Sequence, residues 1–186
     1  MISIAGDLGS GKSTIAKRLA EVLNYHNFST GMPFRKLAAE RGMDALQLNY
    51  LSETDLSIDK YIDDNLRTIN EGSDSRYVLD SRMAWYFVPK SFKIYATVEP
   101  EIAAQRVLND KNRFGEPEAA DLQERVKTLL ERQNVENRRY KSIYDVDCRD
   151  LSNYDLIIDT SNSSVEILVE QILKVYKQTD SSLRSE

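Results

Sequence analysis

The chain consists of short apolar blocks separated by polar ones, and their spacing predicts alternating strands and helices. Four short runs are apolar and rich in β-branched residues, which predicts buried strands at 1–5, 77–79, 93–98 and 154–158. Elsewhere apolar residues recur every three to four positions, which predicts amphipathic helices at 13–24, 34–41, 44–51, 58–69, 101–109, 118–144 and 163–175. Helices between successive strands favour a parallel sheet with helices on both faces. We therefore expect a three-layer α/β/α fold.

Polar signals place the connections and ends of these elements. Residues 28–31 are predicted to form a short connection after the first helix. Ser163 and Glu166 form an S-x-x-E capping box, which predicts the start of the last helix. The final stretch TDSSLRSE is polar, and we expect it to fray.

Two segments interrupt the alternation of strands and helices. An all-helical block at about 32–70 lies between the first two predicted strands, and a polar segment at about 110–117 lies between two helices. Both are interpreted as segments inserted between the elements of one core, so that residues 1–186 form a single domain.

The composition excludes several classes of protein. Of 186 residues, 41% are hydrophobic and 30% are charged, which is typical of a soluble globular domain. The net charge of −5 disfavours a general binder of nucleic acids or membrane surfaces. Cys148 and His26 are the single cysteine and histidine, so an internal disulfide and a His/Cys zinc cage are excluded. No membrane span or signal peptide is visible, and we expect a cytoplasmic protein.

The stretch GDLGSGKST follows the first strand and matches G-x-x-x-x-G-K-[ST] at Gly6, Gly11, Lys12 and Ser13. Glycines allow backbone N–H groups to surround a phosphate, and the following helix points its positive end at the same anion. A chance match to a glycine-rich turn is disfavoured, because the required strand and helix flank the loop. The residues predicted to bind the phosphates of ATP are Gly6, Gly9, Ser10, Gly11, Lys12, Ser13 and Thr14. Lys12 would reach the β- and γ-phosphates, and the Ser13 hydroxyl would bind Mg²⁺.

The absence of GTPase motifs and the presence of Asp7 in the loop give further information on the kind of P-loop protein. A regulatory GTPase is disfavoured, because neither D-x-x-G nor N-K-x-D occurs in the chain. Asp7 lies within the loop, where a carboxylate facing a triphosphate would be repelled. We therefore predict that the Asp7 side chain points away from the phosphate pocket, toward a loop or an arginine.

Charged residues elsewhere could bind phosphate or metal. Arg132, Glu136 and Arg139 share one helix face, and spacing alone favours a solvated charged surface there. Asp80 and Arg82 follow the second predicted strand, and carboxyl ends of parallel strands line the ligand crevice. Asp80 would then either bind Mg²⁺ or cap a helix or turn.

Four stretches beyond the loop complete a family pattern: FSTGMPFRKLAAERGMD, SIDKYID, YVLDSR and ERQNVENRRYKSIYDVDCRDLSNYDLIIDTS. With GDLGSGKST, they resemble the nucleoside monophosphate kinases, most closely the short cytidylate kinases of archaea and some bacteria. The resemblance covers nearly the whole chain and is weakest at 83–92 and 110–121.

The resemblance implies a P-loop fold in which 32–70 binds the acceptor monophosphate and 110–117 is a lid. It implies transfer of the γ-phosphoryl group of ATP, with Mg²⁺, to CMP or dCMP. The implied acceptor-binding residues are Arg35, Asp80, Arg82, Arg132, Glu136 and Arg139. Lys12 and the arginines at 82, 132 and 139 would be catalytic, Ser13 and Asp80 would bind the metal, and Arg113 would contact ATP.

Several positions depart from the family pattern and keep alternatives open. Asp7–Leu8 replaces Thr-Pro, Ser81 replaces a glycine, and Met32–Pro33 stands where Asp-Ile is common. Lys111 and Arg113 do not fall in the usual arginine register of the lid. These departures keep two alternatives open: a kinase for another small acceptor, and a weakly catalytic ATP-binding regulator. Asp59 and Asp63 stand where contacts to cytosine or sugar are plausible, without a firm assignment.

Overall fold

The computed structural model describes residues 1–110 and 115–183 of the chain. Within these residues, five parallel strands form one sheet in the order β2-β3-β1-β4-β5. The strands are β1 (Ile2–Gly6), β2 (His26–Ser29), β3 (Tyr77–Asp80), β4 (Phe92–Thr97) and β5 (Leu156–Asp159). The α-helices are α1 (Lys12–Leu23), α2 (Gly31–Glu40), α3 (Ala45–Ser52), α4 (Ser57–Glu71), α5 (Ala84–Phe87), α6 (Pro100–Asn109), α7 (Leu122–Tyr144) and α8 (Val165–Leu183).

Both faces of the sheet are covered, as expected for an all-parallel sheet. On one face, Ile4 of β1 packs with Leu19 of α1 and Ile172 of α8 in a fully buried cluster. On the other face, Leu79 and Tyr95 join a cluster that includes Trp85. The predicted three-layer α/β/α fold is therefore confirmed.

The helical segment between β2 and β3 has a small core of its own. Helices α2, α3 and α4 bury Phe34, Leu48 and Ile58 against one another. These helices stand opposite the β1–α1 loop, so a cleft separates them from the carboxyl edge of the sheet. In the described part of the chain, no helix is long and apolar enough to cross a membrane.

The structure corrects four predictions of local structure. Residues 28–31 are not a connection, because His26–Ser29 forms strand β2, which lies at the edge of the sheet beside β3 in the described part of the chain. An edge strand is half-exposed and tolerates the polar sequence HNFS, which hides the strand pattern. Helix α8 is capped one residue later than predicted: the Ser164 hydroxyl accepts from the Ile167 N–H at 3.3 Å.

The other two corrections concern helix ends. Helix α8 continues to Leu183, so the stretch predicted to fray is mostly helical within the described residues. Helix α7 begins at Leu122 rather than near 118, because the Asp121 carboxylate caps it by accepting from the Glu124 N–H at 2.8 Å.

Candidate active site

The loop between β1 and α1 has the conformation that its glycines predict. Gly6, Gly9 and Gly11 have φ angles of +138°, +79° and +77°, a region that favours glycine. A Cβ on Gly6 would lie 2.2 Å from the Ala96 carbonyl oxygen, so β1 and β4 require a glycine there. A Cβ on Gly11 would meet no atom within 4 Å. Gly11 is therefore needed for its backbone angles alone, at the start of α1.

The Lys12 side chain lies across this loop. Its Nζ donates to the carbonyl oxygens of Gly6 at 3.0 Å and Asp7 at 2.6 Å. The Ser10 hydroxyl donates to the same Asp7 carbonyl at 2.8 Å. An ammonium group is thus held at the N-terminus of α1, where the helix dipole also favours an anion.

The Asp7 carboxylate points away from the cleft, as predicted, but its partners are not arginines. It accepts hydrogen bonds from the Tyr95 hydroxyl at 3.0 Å, the Gln133 amide at 2.7 Å and the Val98 N–H at 3.2 Å. Burial and the neighbouring Asp7 charge raise the pKa of Tyr95, so its hydroxyl stays protonated as the donor. Asp7 therefore ties the loop to β4 and α7 rather than to a ligand.

Ser13 and Asp80, the two predicted metal ligands, are in direct contact. The Ser13 hydroxyl donates to the Asp80 carboxylate at 2.6 Å, and the Ser29 hydroxyl donates to the same oxygen at 2.8 Å. Asp80 ends β3 directly beside Ile4 of β1. Among the described residues, no cluster of three or more His, Cys, Asp or Glu side chains could hold a metal. A hydroxyl and one carboxylate suit Mg²⁺, which commonly takes few protein ligands together with water and nucleotide phosphates.

Glu136 stands at the centre of the arginine cluster. Arg82 forms an ion pair with one of its carboxylate oxygens, and Arg132 Nε donates to the other at 3.0 Å. Arg82 also donates to the Gly6 carbonyl at 2.9 Å, which joins the cluster to the loop. Burial alone would raise the pKa of Glu136, but the charges of Arg82, Arg132 and Arg139 lower it to about 2.

Arg139 is buried beside this cluster, against the acceptor-side helices. Its Nη1 donates to the Asn49 side chain at 2.6 Å, and its Nε lies 3.1 Å from an Asp59 carboxylate oxygen. Its guanidinium also lies 4.9 Å from the centre of the Tyr140 ring. Arg132, Glu136 and Arg139 are only 5%, 5% and 2% exposed, so the alternative of a solvated charged face on α7 is wrong.

A short segment before α7 completes this end of the site. Arg132 Nη1 donates to both carboxylate oxygens of Glu116, at 2.9 and 3.0 Å. The Gly115 carbonyl accepts from the Ala45 N–H at 2.6 Å, and a Cβ on Gly115 would lie 3.5 Å from Arg35. Arg113, predicted to contact ATP, lies outside the described residues, as does Lys111.

One cleft of about 580 Å³ contains these groups. The loop residues Gly9, Ser10, Gly11, Lys12, Ser13 and Thr14 line this cleft together with Arg35, Arg82, Arg132, Glu136 and Arg139. Asp80 also lines it, beside Ser13. Gly6, the remaining predicted ATP contact, does not line the cleft, because it is packed against Ala96.

Several lining residues were missed or left unassigned by the sequence. Arg106 lines the cleft beside the loop and donates to the Thr160 carbonyl at 2.6 Å. Thr160 directly follows β5, so its place at the carboxyl end of a parallel strand could have indicated it. Arg106 lies in the last turn of α6 and carries no such signal. Asn49, which lines the cleft, and Glu116, which does not line it but binds Arg132, carried no comparable signal. Their partners on α7 are distant in sequence.

A phosphate-binding loop between β1 and α1, in a parallel sheet and facing a cluster of arginines, defines a P-loop kinase. A family model described as an AAA domain matches residues 2–127. The chain belongs to the cytidylate kinase family. It is 39% identical to the cytidylate kinase of Haloarcula marismortui, over 87% of this chain and 81% of that protein. It is 34% identical to the cytidylate kinase of Pyrobaculum islandicum, over 94% of each chain.

A solved structure agrees with this class at the level of the fold. The shikimate kinase from Acinetobacter baumannii has a TM-score of 0.61 and 18% identity, covering 96% of this chain and 93% of that one. At this identity the likeness concerns the fold alone. The resemblance to cytidylate kinases inferred from sequence motifs is thus confirmed by the curated relatives.

Proposed function

We propose that the protein transfers the γ-phosphoryl group of ATP to CMP, and also to dCMP, giving ADP with CDP or dCDP. One observation carries the proposal: a single cleft holds a phosphate-binding loop at one end and buried arginines around Glu136 at the other. Two highly charged phosphates can approach each other only where fixed cations surround them. The names of the 39% and 34% identical relatives select CMP as the acceptor.

At the donor end, the backbone N–H groups of the loop would bind the β- and γ-phosphates. Lys12 would leave the carbonyls of Gly6 and Asp7 to pair with the γ-phosphate. The Ser13 hydroxyl and the Asp80 carboxylate, 2.6 Å apart, would hold Mg²⁺. When bound, Mg²⁺ withdraws charge from the phosphate oxygens.

At the acceptor end, Arg35, Arg82, Arg132 and Arg139 would bind the CMP phosphate and the transferring group. Arginine suits this task because its planar fork binds phosphate oxygens in pairs and never loses its charge. Glu136 would act as a positioning residue, because it holds Arg82 and Arg132 in place from within the cluster.

The transfer itself requires positioning rather than proton transfer by the protein. An anionic oxygen of the CMP phosphate attacks the γ-phosphorus, and the bond to the β,γ-bridging oxygen breaks with its electron pair leaving on ADP. Because the attacking oxygen carries no proton at neutral pH, we assign no general base. The lid that the family resemblance implies at about 110–117, of which residues 111–114 lie outside the described part of the chain, would exclude water as a competing acceptor. ATP and CMP are cytoplasmic metabolites, so we place the protein in the cytoplasm.

A coupled assay of ADP formation tests the proposal, with Mg-ATP and each of CMP, dCMP, UMP, AMP and shikimate. We expect turnover with CMP and dCMP well above the other acceptors. A Lys12→Ala variant purified in parallel should be inactive, which excludes a contaminating kinase from the expression host. Turnover only with a non-nucleotide acceptor, or none with any acceptor, would overturn the proposal.

A further inference from the structure

Arg132 is paired with two carboxylates, although the proposed reaction uses its charge to bind a phosphate. Its Nη1 donates to both carboxylate oxygens of Glu116, at 2.9 and 3.0 Å. Its Nε donates to Glu136 at 3.0 Å. The side chains of Arg132 and Glu116 are each only 6% exposed, so water screens their charges little. Arg132 therefore has two buried counter-ions.

The two carboxylates differ in their other contacts. Glu136 lines the cleft, and it also forms an ion pair with Arg82. Against the effect of burial, the neighbouring arginines lower the pKa of Glu136 to about 2, so it is ionised at neutral pH. Glu116 lies in the short segment before α7 and does not line the cleft. The phosphate-binding machinery thus contains Glu136, whereas the task of Glu116 is unassigned.

Glu116 determines the net charge of this group of side chains. Arg82 and Arg132 bring two positive charges, and ionised Glu136 and Glu116 bring two negative charges, so the four together are neutral. Without Glu116, the same group would carry one positive charge beside the cleft. Because buried charges interact strongly, this difference should change the affinity of the cleft for an anion.

The backbone beside Glu116 is fixed to the acceptor-side helices. The Gly115 carbonyl accepts from the Ala45 N–H of α3 at 2.6 Å, and a Cβ on Gly115 would lie 3.5 Å from Arg35 of α2. Glu116 is therefore held close to Arg132. Its charge would continue to oppose a phosphate that binds to this arginine, since like charges brought together away from water repel each other.

We propose that Glu116 competes with the acceptor phosphate for the charge of Arg132 and thereby lowers the affinity of the protein for phosphorylated acceptors. Without a phosphate, Glu116 balances a buried guanidinium that would otherwise share Glu136 with Arg82. The inference rests on the proposed function, because it requires a nucleoside monophosphate in the cleft. If Glu116 instead only held Arg132 in position, its removal would weaken phosphate binding, so the two roles predict effects of opposite sign.

The test measures the Kd of CMP and of cytidine by calorimetry in the wild type and in Glu116→Gln. Glutamine keeps the size of the side chain and an oxygen that can accept from Arg132, but it removes the charge. We expect Glu116→Gln to bind CMP about tenfold more tightly than the wild type. Cytidine lacks the phosphate, so its Kd should not change. Equal or weaker binding of CMP by the variant, or an equal gain for cytidine, would overturn the inference.

Glu118→Gln is the matched control, because it makes the same chemical change two residues later in the same segment. Glu118 is exposed, so its substitution should leave the Kd of CMP at the wild-type value. An equal gain in both variants would show that the net charge of the protein alone is responsible, and would reject a specific role of Glu116.

A second probe separates this inference from the proposed function. If the wild type neither binds nor turns over CMP, the proposed function fails, and inorganic phosphate is used in place of CMP. Tighter binding of phosphate by Glu116→Gln than by the wild type would still support the inference, and equal or weaker binding would overturn it. Glu116→Ala also removes the charge, and it replaces Glu116→Gln with the same expected results if the glutamine variant does not fold.

Discussion

The Gln133 amide on α7 donates a 2.7 Å hydrogen bond to the carboxylate of Asp7 in the β1–α1 loop. This bond joins the loop that would hold ATP to the helix that carries Arg132 and Arg139. Asp7 departs from the family pattern at this position, and its charge serves as an internal anchor. The donor and acceptor halves of the cleft are thus held together by a pair of side chains that need touch neither substrate.

Asp7→Asn should weaken this anchor. Asparagine offers one acceptor oxygen where three donors converge, so at least one of them loses its partner. We expect the free energy of unfolding to fall by about 1–3 kcal/mol, measured by urea denaturation. The KM for ATP should rise several-fold, because the loop is less firmly placed.

A double-mutant cycle with Gln133→Leu provides the control for Asp7→Asn. The two changes should be coupled by about 0.5–3 kcal/mol, as expected for residues in direct contact. Strictly additive effects would mean that the bond between Asp7 and Gln133 contributes nothing.

Glu136→Gln should destabilise the free protein most among single changes on α7. The substitution removes the negative charge that balances the buried guanidinium groups of Arg82 and Arg132. Breaking a buried ion pair typically lowers the free energy of unfolding by about 3–5 kcal/mol. Bound phosphate should restore part of the loss, so 10 mM phosphate should raise the melting temperature of the variant more than that of the wild type.

The control for this substitution is Glu131→Gln, on the same helix but exposed and bonded to Tyr50. It should change the unfolding free energy by less than about 1 kcal/mol. The pKa of Glu136 is lowered to about 2 from 4.5, so its contribution is present above pH 4.5 and is lost as the pH falls toward 2. A difference between Glu136→Gln and wild type that stays constant across this range would contradict the assignment.

Asp63 should make the free energy of unfolding depend on pH in the direction opposite to Glu136. Burial is the main cause that raises its pKa to about 6 from 3.8, while Tyr144 and Arg67 act against it and Asp59 and Asp64 add to it. A raised carboxyl pKa means that the folded protein holds the proton more tightly. The stabilisation is complete below pH 3.8 and is lost as the pH rises through 6.

The comparison with Asp63→Asn measures this effect, because asparagine does not titrate. The variant should gain stability relative to wild type between pH 4.5 and 7.5, measured by urea unfolding in the absence of nucleotide. A difference that does not change with pH would show that Asp63 has an ordinary pKa.

Asp80→Asn should raise the Mg²⁺ requirement. The substitution keeps an oxygen that can accept from the Ser13 and Ser29 hydroxyls but removes the charge that would hold the metal. We expect kcat to fall on the order of 10²-fold or more, with half-maximal activity at higher Mg²⁺ concentration. The urea midpoint should stay near that of the wild type. A Mg²⁺ dependence identical to wild type would place the metal elsewhere.

The parts of the fold and site that the sequence predicted are those whose signals are local. The loop residues from Gly6 to Ser13 are contiguous, and their flanking strand and helix supply the context that the motif needs. The strand β2 was missed because an edge strand carries no apolar run. Spacing alone favoured a solvated face for Arg132 and Arg139, and the family resemblance instead implied that they bind phosphate.

Contacts between residues that are distant in sequence could not be predicted. Glu116 meets Arg132, and Asn49 meets Arg139, only because separate segments fold together. Such pairs depend on how α3 and the segment before α7 pack against α7. The hydrophobic periodicity of the sequence does not determine this packing. The direction of the Asp7 side chain was predictable, because electrostatic repulsion excludes one of its two directions.

Gly6 and Gly11, the two glycines of the loop motif, are required for different reasons. A side chain at 6 would collide with the backbone at Ala96, whereas a side chain at 11 would meet nothing and strain only the local angles. In a library of variants, changes at Gly6 should deplete the amount of folded protein. Changes at Gly11 should leave protein abundant and deplete activity. The motif therefore combines two requirements: Gly6 is needed for folding, and Gly11 is needed for nucleotide binding.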